Sequence, residues 1–585
     1  MLIIVVAAIA YYGSYWHYWF NTHDEGGTAC LIAQRLMNGE QPWVGVEPGY
    51  NIGWFYPLIA LFKITGVNYM AARAWFFLLS TITALLGFGI VSRITGSRLA
   101  GLGVGLLLVM LPGSQFKNYI QLSQAANTAC LISLAFVDPR KKGKWLGSVL
   151  LGGVVLGLTY LVRVELGYFF TAIWALLLLV FLFDRRVSIG GRLVAAIVGF
   201  VALAAGVVAA QTPAYLDLRG RGLEAQYWHE YSNWLTFLRA SATQKLHRAT
   251  RTTPHTAPNP VTEHLALGTD SRSAPPASAL VAAAPKGVAT GADHAILART
   301  PITALWGHDM KGRLLGFLTY APLVGFAVFF LAGLAGFLRG ITRPEFALTA
   351  RPFLWLLLVG ASLTTFLQFF FFRPDRPHLS EFMTGYIVAM AVCLWLLWPR
   401  GEARPLGQRI PVWALAVFLG SQLVIYTIFA MQHPSSGTIA ARFGRKAWFR
   451  GENGVSVREF KNDAASLQGV HDAVMKASGP KDYVICFPYN PGYNVMTNRR
   501  TYLYNVYVDN ATRPANFSEK TIRDFETMKP AVVIIDNRAI NGTEASRFTK
   551  WAPQVYEYLK ANYTLAGAFK ESVEVFTRPA AEEAK

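Results

Sequence analysis

Asp24 and Glu25 stand side by side in His23-Asp24-Glu25-Gly26, directly behind an apolar N-terminal stretch. Adjacent carboxylates at the mouth of a hydrophobic segment are costly to keep, so they are candidates for moving a proton or gripping a partner. Charged groups recur at similar positions. Arg73 opens a later apolar run, Lys117 lies in a tight turn between two runs, and Arg163 and Glu165 share Tyr160-Leu-Val-Arg-Val-Glu-Leu-Gly167. Arg373-Pro-Asp-Arg-Pro-His378 gathers Arg373, Asp375, Arg376 and His378. Cations so placed hold a phosphate by charge-assisted hydrogen bonds, arginine through its bidentate fork. A carboxylate beside them takes a proton from a hydroxyl.

Each of these residues also has a plainer use. Asp24 suits the N-cap of a helix through 28–37. Glu25 cannot share a helix face with its neighbour and suits orienting a partner or binding an acceptor. Lys117 and Arg73 can snorkel to an interface, and Arg163 and Glu165 can pin their turn by pairing with each other. Asp375 and His378 admit a divalent metal, although Pro374 and Pro377 work against helical geometry there.

The elements that must position these residues are set by composition. Hydrophobic residues make up 53% of the 585 and charged residues 15%, a balance that excludes an ordinary soluble domain. Apolar runs long enough to cross roughly 30 Å of hydrocarbon lie at 2–20, 71–91, 99–111, 119–137, 145–162, 166–183, 193–210, 314–338, 352–372, 382–398 and 412–431. That is about eleven expected membrane helices. Residues 52–64, interrupted by Pro57 and carrying Lys63, read as an interfacial helix.

Every second connection is rich in Lys and Arg, from Arg93/Arg98 and Arg140-Lys141-Lys142 through Arg185-Arg186 to Arg400/Arg404/Arg409. The positive-inside rule then puts the N-terminus in the cytoplasm and everything after 431 outside. It also accounts for much of the +20 net charge, so a nucleic-acid partner is not needed. The expected setting is a multi-pass plasma membrane, the inner membrane in a bacterium. Residues 2–20 lack a basic n-region and a small-x-small cleavage site, which favours a retained helix over a signal peptide. The four cysteines form neither a disulfide framework nor a zinc pattern.

Two domains follow: a membrane domain, 1–434, and a soluble α/β domain, 435–585. Within the first, 21–70 forms an external loop carrying the carboxylates. Residues 240–300, rich in Ala, Pro, Thr and Ser, form an external insertion expected to be disordered. In the second, 483–487 and 531–536 read as strands preceded by helices at 464–477 and 517–528. Pro488-Tyr-Asn-Pro-Gly-Tyr493 follows the first strand, where open α/β sheets present functional loops.

With this topology Asp24, Glu25, Arg73, Lys117, Arg163, Glu165 and Arg373–His378 all fall on the outer side. An anion at the bilayer edge beside a reacting hydroxyl describes glycosyl transfer from a lipid-linked sugar phosphate. The lipid phosphate leaves once cations stabilise its charge, so one base suffices and attack from the opposite face inverts the anomeric centre.

Asp24-Glu25-Gly26, Ala33-Gln-Arg-Leu-Met-Asn-Gly39 and Gly66-Val-Asn68 before Arg73 resemble the first external loop of GT-C glycosyltransferases. The branch they resemble most is that of the protein O-mannosyltransferases and aminoarabinose transferases. Gly157–Gly167 and Arg373–His378 are similar to segments of bacterial members, and the external α/β tail fits as well. The resemblance implies that Asp24 is the base and that the donor is a polyprenyl- or dolichyl-phosphate sugar. The chain departs from the family in its Ala/Pro-rich insertion and short N-terminus, and it lacks the Trp-Trp-Asp signature of oligosaccharyltransferases.

The reading is therefore a helical polytopic GT-C-like protein with Asp24 and Glu25 catalytic. Lys117, Arg73, Arg163, Glu165, Arg373, Asp375 and His378 bind the donor phosphate or substrate. No cofactor is required, a divalent metal is an option, and the acceptor is a lipid, glycan or protein. The main rival is a transporter or flippase of a lipid-linked glycan, which needs a polar path through largely apolar spans. A non-catalytic scaffold is the third.

Overall fold

A computed structural model describes residues 1–110, 118–137, 144–183, 187–232, 310–342, 350–371, 376–397, 444–510, 513–539 and 544–579, with scattered positions between 410 and 420. The helices run in order α1 (Leu2–Gly13), α2 (Ile32–Met37), α3 (Tyr56–Thr65), α4 (Tyr69–Thr95), α5 (Arg98–Met110), α6 (Asn118–Phe136), α7 (Lys144–Val162), α8 (Val164–Val180), α9 (Ile189–Gly220), α10 (Met310–Ile341), α11 (Ala350–Phe371) and α12 (Arg376–Leu397). A π-helical turn, Asp24–Leu31, leads directly into α2. The C-terminal elements are β1 (Ala447–Arg450), β2 (Ser456–Glu459), α13 (Lys461–Ala477), β3 (Val484–Phe487), α14 (Gly492–Thr497), α15 (Phe517–Met528), β4 (Val532–Asp536), α16 (Phe548–Trp551), α17 (Pro553–Asn562), β5 (Thr564–Phe569) and β6 (Val573–Thr577).

The chain divides into two compact units. The helical unit contains Met1–Trp16 and the described residues from Phe76 to position 420. Among the described residues five helices are long and apolar enough to cross a membrane: Tyr69–Thr95, Trp145–Val162, Val164–Phe183, Ile189–Gly220 and Pro322–Ile341. The apolar stretches of α5, α11 and α12 are shorter among the described residues, and the span expected at 412–431 lies almost wholly outside them.

Within this unit α7 and α9 meet backbone to backbone. A Cβ on Gly153 would fall 2.2 Å from the Leu203 carbonyl oxygen, one on Gly157 2.7 Å from that of Val207, and one on Gly206 2.3 Å from that of Leu150. Small residues at this spacing are how helices pack where lipid removes any hydrophobic drive between them. Elsewhere on α9, Leu193, Val194, Ile197, Val201 and Val208 are exposed, an apolar surface suited to lipid.

The expected span at 2–20 is corrected. Helix α1 stops at Gly13, short of the expected end at 20. Residues 14–17 form turns, and Tyr18 makes a single parallel bridge to Arg458. The Trp19 amide donates to the Arg458 carbonyl at 3.0 Å, and the Arg458 amide to that of His17 at 2.5 Å. The aromatic run Trp16–Phe20 contains residues that suit a pleated ladder better than a helix.

The second unit combines His17–Trp75 with the described residues after 443. Residues 21–70 therefore fold with the C-terminal residues rather than with the helices, unlike the division at 434/435. Pro57 starts α3 instead of interrupting it, because a missing amide hydrogen costs nothing in a first helical turn. The sheet has the order β3-β4-β6-β5: β3 and β4 pair in parallel, and β6 is antiparallel to both its neighbours. Every residue of β3 and β4 is buried, as expected of a parallel pair covered on both faces. Ile485, Phe487, Val533 and Ile535 pack with Phe517, Phe525, Phe548 and Trp551. β1 and β2 form a separate hairpin.

Candidate functional site

Asp24 is the first residue of the π-helical turn, with His23 at the N-cap position and no side-chain cap. The capping role open to Asp24 from sequence is thus not the one this backbone gives it. The turn opens with the wide i−5 pattern: the Gly26 amide donates to the Asn21 carbonyl at 2.9 Å and the Thr28 amide to that of His23 at 3.0 Å. Such turns are rare and concentrate at functional sites.

Glu25 points into the protein and is fully buried, as is Arg73 on α4. Arg73 Nε donates to Glu25 Oε1 at 3.0 Å and Nη2 to Oε2 at 2.8 Å, a two-pronged fork. One turn before Arg73, the Tyr69 hydroxyl donates to Glu25 Oε2 at 2.5 Å and accepts from Arg73 Nη2. The guanidinium also donates to the Tyr18 carbonyl at 2.9 Å and the Trp19 carbonyl at 2.7 Å. Both groups were expected to meet substrate, Glu25 in the chemistry and Arg73 on a phosphate. In this geometry they are spent on each other and on residues 18–19, and they anchor the turn that carries Asp24.

The C-terminal residues hold the same segment from the other side. Thr22 Oγ1 donates to Asn490 Oδ1 at 2.8 Å, and the Gly492 amide to the Thr22 carbonyl at 2.8 Å. Asn490 Nδ2 reaches Asp536 Oδ2 at 2.9 Å. Both loops lie at the carboxyl ends of the parallel strands β3 and β4, where open α/β sheets bind ligands. Here they grip residues 20–27 of the same chain. Farther along, Arg35, also buried, donates to the Leu503 carbonyl at 2.6 Å and pairs with Glu40, and Tyr504 donates to Glu47 at 2.9 Å.

The grip requires glycine. A Cβ on Gly27 would lie 2.5 Å from the Thr22 carbonyl oxygen and 2.7 Å from Pro491 Cγ, and one on Gly492 2.5 Å from Thr22 Cα. No side-chain rotation relieves a clash with backbone. Gly27→Ala should therefore destabilise this unit by about 1–3 kcal/mol, read as a lower melting temperature and faster proteolysis within 20–30. An unchanged variant would mean that the loops do not close this tightly.

A second buried pair holds Phe20. Its amide donates to Glu459 Oε1 at 2.6 Å, and Arg445 Nε stands 3.7 Å from Glu459 Oε2. Burial, more than offsetting Arg445 and the Phe20 amide, pushes the Glu459 carboxyl up to about 7, while burial holds Arg445 below its ordinary value. The folded state thus binds the Glu459 proton more tightly than the unfolded chain. Its contribution is most favourable at acid pH and is lost as pH rises from the ordinary carboxylate range through about 7. The loss amounts to roughly 3 kcal/mol. Melting temperatures measured from pH 5 to 8 should show Glu459→Gln losing more relative to wild type at pH 5 than at pH 8. A pH-independent difference would refute the assignment.

In the helical unit Arg163 and Glu165 also pair, Nε to Oε1 at 2.6 Å, and Arg163 Nη1 donates to Ser123 Oγ at 3.2 Å. Glu165 is buried, and among the described residues its Oε2 has no hydrogen-bond partner. The expectation of largely apolar spans needs correction on α6, where Gln121, Gln124, Asn127 and Thr128 are all buried. Asn127 Oδ1 accepts from Thr364 on α11 at 3.0 Å. The i, i+3, i+6 spacing of Gln121, Gln124 and Asn127 was a readable sign of one polar face.

Lys117, Arg373 and Asp375 lie outside the described residues, and of His378 only its place in α12 is described. Among the described residues no group of three or more His, Cys, Asp or Glu side chains is arranged to hold a metal ion.

No protein family and no curated protein matches the sequence. Among solved structures, the chain is similar to the crystal structure of ArnT from Cupriavidus metallidurans bound to undecaprenyl phosphate, with a TM-score of 0.49 at 12% identity over 99% of this chain and 98% of that one. The apo state of the same protein gives a TM-score of 0.44, with 12% identity over 99% and 98% of the two chains.

Proposed function

We propose that this chain is an inverting glycosyltransferase of the GT-C type. It moves a sugar from a polyprenyl-phosphate carrier to a hydroxyl acceptor at the outer face of the membrane. The observation that carries the reading is the seat built for Asp24: a π-helical turn anchored by a fully buried Glu25–Arg73–Tyr69 cluster and gripped by two loops of the α/β sheet. The turn holds the backbone at position 24 in one place, and a positioned carboxylate serves as a general base.

In the proposed reaction the acceptor hydroxyl attacks the anomeric carbon and gives its proton to Asp24. The bond from that carbon to the carrier phosphate breaks, and the electron pair leaves with the polyprenyl phosphate. Lys117, Arg163 and Arg373 are the cations we assign to that charge, with Glu165 orienting Arg163, and Asp375 and His378 toward the sugar or a divalent ion. Glu25 and Arg73 become positioning residues. The alternation of basic loops supports a cytoplasmic N-terminus and an external C-terminal module. The first-loop motif supports the protein O-mannosyltransferase and aminoarabinose-transferase branch.

Transport of a lipid-linked glycan draws on one observation, the buried polar face of α6. The deciding experiment uses the full-length chain in proteoliposomes with a panel of radiolabelled polyprenyl-phosphate sugars and lipid, glycan and protein acceptors. Glycosyl transfer with release of polyprenyl phosphate and an inverted anomeric centre is expected. Carrier crossing the bilayer with its sugar still attached would replace this reading with transport.

A further inference from the structure

Asp536, at the carboxyl end of β4, is 1% exposed and fully engaged. Its Oδ1 accepts from Ser572 Oγ at 3.1 Å and the Arg538 amide at 3.2 Å, and its Oδ2 from Asn490 Nδ2 at 2.9 Å and Arg538 Nε at 2.7 Å. Arg538, although its side chain is 48% exposed, is thereby held in one orientation. Its Nη2 stands 3.2 Å from His23 Nε2.

A guanidinium can only donate, so Nε2 accepts. The other ring nitrogen, Nδ1, contacts the Tyr489 carbonyl oxygen, which can only accept. Both contacts are satisfied by one species, the neutral imidazole with its proton on Nδ1. Tyr489 adopts a left-handed backbone, φ 57°, and stacks its ring on His23 with centroids 5.6 Å apart. A bulky residue in that region is unfavourable unless its surroundings enforce it. The residue after His23 is Asp24.

We propose that Arg538 and Asp536 are positioning residues for Asp24, acting through His23, and that the α/β module sets the orientation of the base by this relay. The proposal rests on the transferase reading above. As positioning residues they should affect turnover more than donor binding.

The test measures amide hydrogen exchange across residues 22–31, kcat and donor KM for the full-length wild type and for Arg538→Ala, Arg538→Lys, His23→Ala and His23→Gln. Arg538→Ala should raise exchange in 22–31 and lower kcat roughly 10- to 100-fold, with donor KM within about twofold of wild type. His23→Gln, whose amide oxygen accepts from Arg538, should retain more turnover than His23→Ala. Unchanged exchange and kcat in Arg538→Ala would overturn the proposal, and so would loss of protection throughout the module with kcat and KM changing together. Raised exchange confined to 22–31 in a protein whose wild type transfers no sugar would uphold the clamp and remove Asp24 as the base of a transferase.

Discussion

Asp24→Asn should bring sugar transfer down by about 10²- to 10⁴-fold, the range that a positioned general base contributes. The substitution keeps the size of the side chain and removes the site that receives the acceptor's proton. It changes no member of the Glu25–Arg73 pair or of the His23–Arg538 contact, so donor KM should stay near the wild-type value while kcat falls. Asp24→Glu keeps a carboxylate but moves it by a methylene, and it should fall between the two because proton transfer depends steeply on reach. The pH–rate profile adds an independent sign: a general base should give wild-type turnover a limb that rises with pH, and the Asn variant should lack it. Activity in Asp24→Asn equal to wild type, at an equal melting temperature, would move the base elsewhere.

The second large effect concerns stability. Removing one member of a fully buried ion pair strands the other, and the usual cost is about 3–5 kcal/mol. Arg73→Met should reach that range, because the guanidinium also holds the Tyr18 and Trp19 carbonyls. An apparent melting temperature lower by on the order of 10 °C is the expected reading. Arg73→Lys should recover little, since a single ammonium cannot reproduce the fork onto both Glu25 oxygens. The double variant Arg73→Met/Glu25→Leu removes both charges at once and should be more stable than the sum of the single losses implies. Additive losses across this cycle would mean that the two groups are not coupled.

The elements were legible where local pattern decides them. Hydropathy located the helices from α4 to α12 within a few residues, except at the start of α12 and the far end of α9. Alternation of helix and strand located β3, β4, α13 and α15. α1 ends short because residues 17–20 find a ladder partner at 456–459, a contact over 400 residues away in sequence that no local window contains. β5 was missed because it is largely exposed and holds Gly567 with a register shift, so it lacks a clean apolar alternation.

At the site, the notable pair at 24–25 was visible, but its division of labour was not. Glu25 could be placed only once its partner was known to be Arg73, 48 residues on. In the sequence His23 entered only as the residue before the pair, and Asp536 only as the end of the strand at 531–536. Their tie through Arg538 exists only after the sheet has formed. The proposed role of Asp24 rests on its seat and its motif.

The clamp has a consequence for biosynthesis. Arg538 follows His23 by 515 positions, so a ribosome working at about 5–20 residues per second makes the second half of the contact roughly half a minute to two minutes after the first. Until then the loop bearing Asp24 has no Asn490, Gly492 or Arg538 to close upon. A chain interrupted before position 538 would thus already have its membrane helices but not a completed seat. On the transferase reading, copies released before position 538 should transfer no sugar.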